Sequence, residues 1–200
     1  MVSYLIGSIP TSLLITRWVR GIDIREHGSG NIGATNAFRV IGKKWGAVSL
    51  IIDVLKGFIP VSMLASSNPN GMSYVVAGTI LGFCAIAGHN WPVWLSFKGG
   101  KGVATSLGVF LAILPKAALS ALGVFAITVL ITNFISVGSI VASFAFLIFT
   151  IIFYSKLPEF IFILVLALFL MILIVYMHRP NIQRLRSGTE NKVFKRGSNP

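Results

Sequence analysis

The chain has 200 residues, of which 55% are hydrophobic and only 11% charged, and its mean hydropathy is +0.85. A soluble domain carries about a quarter charged residues, so this composition excludes an ordinary soluble protein and places the chain in a bilayer. The formal net charge of +12 then reads as basic cytoplasmic loops facing anionic headgroups. It does not read as a nucleic-acid surface, because no basic helix with interleaved aromatics accompanies it.

Apolar segments near bilayer length fall at residues 2–19, 46–65, 73–89, 103–115, 117–134, 137–154 and 160–177. They predict an all-α integral membrane protein, a bundle of about seven transmembrane helices forming a single polytopic domain over residues 1–200. The first segment has no basic region before it and no small-residue cleavage site, which predicts a retained helix rather than a removed signal peptide. Pro10, Pro60, Pro115 and Pro158 lie inside or at the ends of these runs, where breaks are tolerated. Cys84, the only cysteine, excludes an intrachain disulfide and a cysteine-based metal site.

Charge fixes the expected orientation. With the N-terminus outside and seven spans, fourteen cations fall on the inner side: Arg17, Arg20, Arg25, Arg39, Lys43, Lys44, Lys98, Lys101, Arg179, Arg184, Arg186, Lys192, Lys195 and Arg196. Only Lys116 and Lys156 fall outside. That bias predicts an outer N-terminus, a cytoplasmic C-terminus and a functional face on the cytoplasmic side. The outer connections, such as Ser66 to Gly71, are short and plain, and no sequence repeat links the two halves, which weighs against an inverted-repeat transporter.

Three inner segments carry chemistry. In the first, Gly28-Ser29-Gly30-Asn31-Ile32-Gly33-Ala34-Thr35-Asn36 alternates glycines with side chains that hydrogen-bond polyols or phosphate. A helix starting near Thr35 puts Arg39 one turn on, able to aim a bidentate fork at phosphate. The second, Phe97-Lys98-Gly99-Gly100-Lys101-Gly102, lies behind a Trp91-Pro92-Val93-Trp94 interface anchor. Its glycine amides and lysines predict an anion nest opening onto the next helix, and it is no Walker A loop. The third runs from His178 through Asn181 to Glu190, the only acidic residue of the tail, which braces neighbouring cations. The plainer readings are a capped turn, a positive-inside loop and a stop-transfer tail. Within the second span, Asp53 and Lys56 are three apart and pair on one helix face, a structural role more than a chemical one.

These three segments, together with Leu5-Ile6-Gly7-Ser8-Ile9-Pro10 and Asp53-Val54-Leu55-Lys56-Gly57, resemble the motifs of the bacterial PlsY family over nearly the whole chain. The family comprises integral-membrane glycerol-3-phosphate acyltransferases that use acyl phosphate as donor. The resemblance implies acyl transfer to the 1-hydroxyl of glycerol 3-phosphate in the bacterial inner membrane, giving lysophosphatidic acid and inorganic phosphate. It implies that Ser29, Asn31, Thr35, Asn36, Arg39, His178 and Asn181 bind glycerol 3-phosphate, and that Lys98, Gly99, Gly100, Lys101, Gly102 and Thr105 hold the acyl phosphate. Ser29, Arg39, Lys98 and His178 are the implied catalytic residues, with Asp53, Lys56 and Glu190 structural. The final residues Gly197 to Pro200 carry no motif.

Both substrates are anions, which suits segments rich in Lys and Arg. The residues five beyond His27, His89 and His178 are Ile32, Trp94 and Gln183, so the His-x4-Asp dyad of thioester-using acyltransferases is missing. The hydroxyl proton goes either to His178 as general base or to a phosphate oxygen of glycerol 3-phosphate itself. Neither metal nor cofactor is expected: Asp23 and Glu26 are the only close acidic pair, too few to hold magnesium. The expected partners are the two substrates and the lipid bilayer, with no nucleic acid.

Overall fold

A computed structural model describes residues 1–67 and 71–193. Residues 68–70 of the expected outer turn, and the tail from residue 194 with Lys195, Arg196 and the motif-free end, lie outside them. The described residues are helical with no strand, and they divide into two compact units, residues 1–115 and 116–200.

In the first unit α1 (Val2–Gly7) and α2 (Thr11–Arg20) precede a 3-10 turn (Ile24–Glu26), then α3 (Ala34–Val40), α4 (Gly42–Ser66), α5 (Tyr74–Asn90), a second 3-10 turn (Val93–Leu95) and α6 (Val103–Ile113). The expected first span over residues 2–19 is therefore not one helix. Pro10 lacks an N–H and its ring obstructs the preceding turn, so the run breaks at Ser8–Pro10. The Ile9 carbonyl exposed by the break accepts a hydrogen bond from Lys56 Nζ (3.0 Å). α1 covers only part of α5, because Ser3 Oγ donates to the Leu81 carbonyl (2.6 Å) and Gly7 lies against the Ala85 backbone.

α4 is the axis of this unit and packs on α1, α3, α5 and α6. Its approach to α6 is closest where Gly108 lies on the Val54 carbonyl and Gly57 on the Thr105 carbonyl, with no room for a methyl at either glycine. Leu13, Ile24, Ile32, Ala37 and Ile41 form a separate apolar cluster beneath the first glycine-rich loop.

The second unit holds α7 (Pro115–Thr132), α8 (Ile135–Tyr154), α9 (Phe160–Met177) and the short α10 (Arg179–Arg186). α7 and α8 join through Asn133 in the left-handed region (φ 65°). The tail returns to that turn, where the Val193 N–H donates to the Asn133 carbonyl (2.9 Å).

Among the described residues, α4, α7, α8 and α9 are long and apolar enough to cross a membrane. These are four of the seven expected spans. α5 has 17 residues and α6 only 11, the latter about 16 Å long at 1.5 Å per residue, half a bilayer core. Apolar side chains such as Ile131, Ile151, Ile161 and Val165 stand exposed along the long helices, as lipid-facing residues do.

Candidate functional site

The first loop is folded around Asn36. Its side chain is 1% exposed. It donates to the His27 and Asn31 carbonyls (both 2.9 Å) and to the Ile24 carbonyl (3.3 Å), and it accepts from the Ser29 N–H (2.8 Å). Its hydrogen-bonding groups are turned inward, so it shapes the loop. Asn31 Oδ1 accepts from the Gly33 N–H (2.8 Å), and α3 then starts at Ala34, so that Arg39 emerges exposed one turn later. Ser29 and Thr35 are half-buried. Gly28 and Gly30 both carry positive φ (64° and 71°), and the Asn36 amide fills the place a side chain at Gly28 would take.

The entry to this loop is clamped by Asp23. Its carboxylate accepts from Arg25 Nε (2.9 Å) and Nη2 (2.7 Å) and from Arg17 Nη2 (2.9 Å). The Arg25 side-chain hydrogen bond, with help from the Arg25 N–H and Arg17, holds the Asp23 carboxyl well below the usual carboxylate range. Sequence reasoning passed over this clamp, noting Asp23 only as half of an acidic pair. The pattern Arg17, Asp23, Arg25 was its signal.

The second loop departs from expectation at its glycines. The Gly99 N–H donates to the Asn90 carbonyl (3.1 Å), the Gly100 N–H to the His89 carbonyl (3.0 Å) and the Lys98 N–H to the Leu95 carbonyl (3.0 Å). The expected amide nest over Gly99–Gly102 is thus corrected, because two of its glycine amides are spent on the end of α5. Gly102 is in the left-handed region (φ 77°) and caps α6, whose first-turn amides at Val103, Ala104 and Thr105 have no acceptor within the helix. The Lys98 side chain is exposed and Lys101 half-buried. Thr105 is buried, with its carbonyl against Gly57 of α4 and its hydroxyl without a hydrogen-bond partner among the described residues.

Beneath this loop lies a buried polar group. Lys56 Nζ is 2.8 Å from Asp53 Oδ1, and His89 Nδ1 is 3.9 Å from the same oxygen. His89 and Asn90 are 5% and 1% exposed. Both belong to the second segment of the sequence, where neither was given a role, and they are the last two residues of α5 before the Trp91-Pro92 turn.

In the second unit His178 caps α10 and is buried, and its Nδ1–H donates to the Ile174 carbonyl (2.8 Å). That bond selects the tautomer in which Nε2 carries the lone pair. Asn181 Nδ2 donates to Glu190 Oε1 (2.6 Å), Ser136 Oγ to the same oxygen (2.9 Å) and Arg184 Nε to Oε2 (2.8 Å). Burial alone would raise the Glu190 pKa. The hydrogen bonds from Asn181, Arg184 and Ser136 outweigh it and hold the carboxyl below its ordinary value. Among the described residues, no three His, Cys, Asp or Glu side chains gather as metal ligands.

Comparison with known proteins covers the same ground. The family model described as glycerol-3-phosphate acyltransferase matches residues 1–188. A glycerol-3-phosphate acyltransferase of Clostridioides difficile strain 630 is 44% identical over 194 residues, covering 96% of this chain and 93% of its own. One from Geotalea daltonii is 46% identical over 196 residues, with 97% and 95% covered. Among solved structures, the chain is similar to the glycerol 3-phosphate form of PlsY, an integral membrane glycerol 3-phosphate acyltransferase. The TM-score is 0.86 at 38% identity, covering 96% of this chain and 92% of that one. The lysophosphatidic acid form of PlsY gives a TM-score of 0.82 at the same identity, with 95% and 91% covered.

Proposed function

Because the chain belongs to the glycerol-3-phosphate acyltransferase family, an integral-membrane family of lipid synthesis, we propose that it transfers an acyl group from acyl phosphate to the 1-hydroxyl of sn-glycerol 3-phosphate. The products are lysophosphatidic acid and inorganic phosphate, in the first acylation of phospholipid synthesis. The hydroxyl oxygen attacks the acyl carbonyl carbon, the bond from that carbon to the phosphate oxygen breaks, and the hydroxyl proton leaves to a base.

One observation carries this reading. The first glycine-rich loop leads into the exposed Arg39 with Ser29 half-buried, and the second carries the exposed Lys98, while Asp23 is taken up by Arg17 and Arg25 and Asp53 by Lys56. Such a surface suits phosphate-bearing substrates. Arg39, with Ser29, Asn31 and Thr35, binds glycerol 3-phosphate, and a fork of guanidinium donors matches phosphate oxygens. Lys98 and Lys101, with the first-turn amides of α6, stabilise the departing phosphate. His178 and Asn181 act on glycerol 3-phosphate, with Glu190 fixing Asn181. A phosphate oxygen of glycerol 3-phosphate takes the proton, since cations are plentiful and free carboxylates scarce. The missing His-x4-Asp dyad supports acyl phosphate over a thioester donor.

The chain sits in the bacterial inner membrane with its N-terminus outside and its C-terminus and reacting loops in the cytoplasm, a placement supported by the fourteen-to-two cation bias. The test uses purified protein with glycerol 3-phosphate and palmitoyl phosphate, and phosphate release is followed. Release is expected to require both substrates and no added metal. Equal rates with acyl-CoA or acyl carrier protein would overturn the donor assignment.

A further inference from the structure

We propose that His89, a residue of no assigned role, is the positioning residue that sets the height of the Lys98–Lys101 turn. The proposal rests on the reading of that turn as the donor-phosphate site. His89 ends α5 buried under the turn, and the two are in direct register. Its carbonyl receives the Gly100 N–H and the neighbouring Asn90 carbonyl receives the Gly99 N–H. Its imidazole lies under Gly100 so closely that a methyl there would overlap Nε2, while the Asn90 amide fills the space beside Gly102. Two of the turn's glycines, Gly100 and Gly102, are therefore pressed onto two consecutive buried side chains, and Gly99 onto the backbone carbonyls of the same two residues.

The turn does not hold this shape by itself. Ser96 and Phe97 are consecutive non-glycine residues in the left-handed region (φ 49° and 62°), a conformation that persists only where the surroundings over-determine it. His89 Nδ1 faces a buried ion pair on α4 without a hydrogen bond of its own. Asp53 Oδ1 stands 3.9 Å from Nδ1, Lys56 Nζ grips the same oxygen at 2.8 Å, and Lys56 is tied to the Ile9 carbonyl at 3.0 Å. Lys56 thus ties the break between α1 and α2 to Asp53, and Asp53 lies next to the imidazole that underlies Gly100. With 5% of its surface exposed, His89 acts on the reaction only through the turn above it.

The test is a size exchange across the contact, made in the full-length purified protein. Gly100→Ala drives a methyl into the imidazole and lifts the turn, His89→Ala removes the support, and the double variant returns the space. Each single change is expected to raise the KM for palmitoyl phosphate on the order of tenfold or more, with kcat and the KM for glycerol 3-phosphate changing less, as misplacement by a fraction of an ångström does. The double variant is expected to recover most of the Gly100→Ala loss. Losses that simply multiply in the double variant would overturn the proposal.

A nitroxide on Phe97→Cys, in a Cys84→Ser background, reads the turn without turnover. Its spectrum is expected to loosen in His89→Ala, or in His89→Gln should the alanine variant not survive purification. An unchanged spectrum overturns the proposal. Absence of acyl transfer by the unaltered protein would instead sink the functional reading, while the nitroxide comparison still decides the role of His89.

Discussion

Replacing Glu190 by Gln isolates the charge at the centre of the third segment while keeping its shape. The carboxylate side chain is 4% exposed and accepts from Asn181, Ser136 and Arg184. A glutamine oxygen in place of Oε1 still serves Asn181 and Ser136, but its NH2 then faces Arg184 Nε, donor against donor. One hydrogen bond between charged groups is lost, worth about 1.5–3 kcal/mol. The Arg184 side chain is 33% exposed and can turn to water, which places the cost near the lower end, about 2 kcal/mol. For a chain of this size the unfolding midpoint in detergent should fall by roughly 4–8 °C, followed by circular dichroism.

The pH dependence sharpens this test. The folded pKa of Glu190 lies below its ordinary value, so its stabilisation is complete above the unfolded carboxylate pKa, about 4.3, and is lost as pH falls through the folded pKa. Glu190→Gln should flatten that acid limb. A midpoint and acid limb identical to those of the unaltered protein would refute the bracing role. Glu190→Ala, which also abandons Asn181, should fall further and raise the KM for glycerol 3-phosphate.

Arg39→Ala should raise the KM for glycerol 3-phosphate far more than that for the acyl donor, and equal losses in steady-state assays would mean the arginine serves another role. His178→Gln should keep a substantial fraction of turnover if the substrate phosphate takes the proton; loss of several orders of magnitude in kcat would make His178 the base. Gly108→Ala sets a methyl against the Val54 carbonyl and should destabilise the α4–α6 contact by about 1–3 kcal/mol, read as a lower unfolding midpoint. Lys56→Met leaves Asp53 buried without its cation and frees the Ile9 carbonyl, and should cost about 3–5 kcal/mol, with Asp53→Asn restoring part of it.

Local pattern was legible where the physics is local. Long apolar runs gave α4, α7, α8 and α9 because burial of such runs depends on composition alone. The start of α3 and the emergence of Arg39 followed from turn chemistry and helical period. The i,i+3 spacing of Asp53 and Lys56 brought their charges together without tertiary information. What escaped was set by distant partners. Asn36 looked like one of several exposed polar residues, yet its amide closes a loop reaching back to Ile24. Thr105 read only as a neighbour of the anion loop, and the seat of its carbonyl against Gly57 on another helix was not visible. The 2–19 run had the length of a span, and Pro10 was visible within it, but Lys56, 47 residues after Ile9, as the donor that satisfies the carbonyl exposed by the break was not.

The glycines of the second loop show why the same letters serve two purposes. A glycine run suggests amides converging on an anion, but Gly99 and Gly100 spend theirs on the end of α5, and their missing side chains let the loop lie flat on His89 and Asn90. Recognition of an anionic donor then falls to the Lys98 and Lys101 charges and the first turn of α6. Lys98 is exposed, and attraction between exposed charges is screened over about 8 Å at physiological ionic strength. Donor binding should therefore weaken as salt rises, more steeply than a nest of buried amides would allow. The close packing beneath the loop holds those charges in place, and the charges select the ligand.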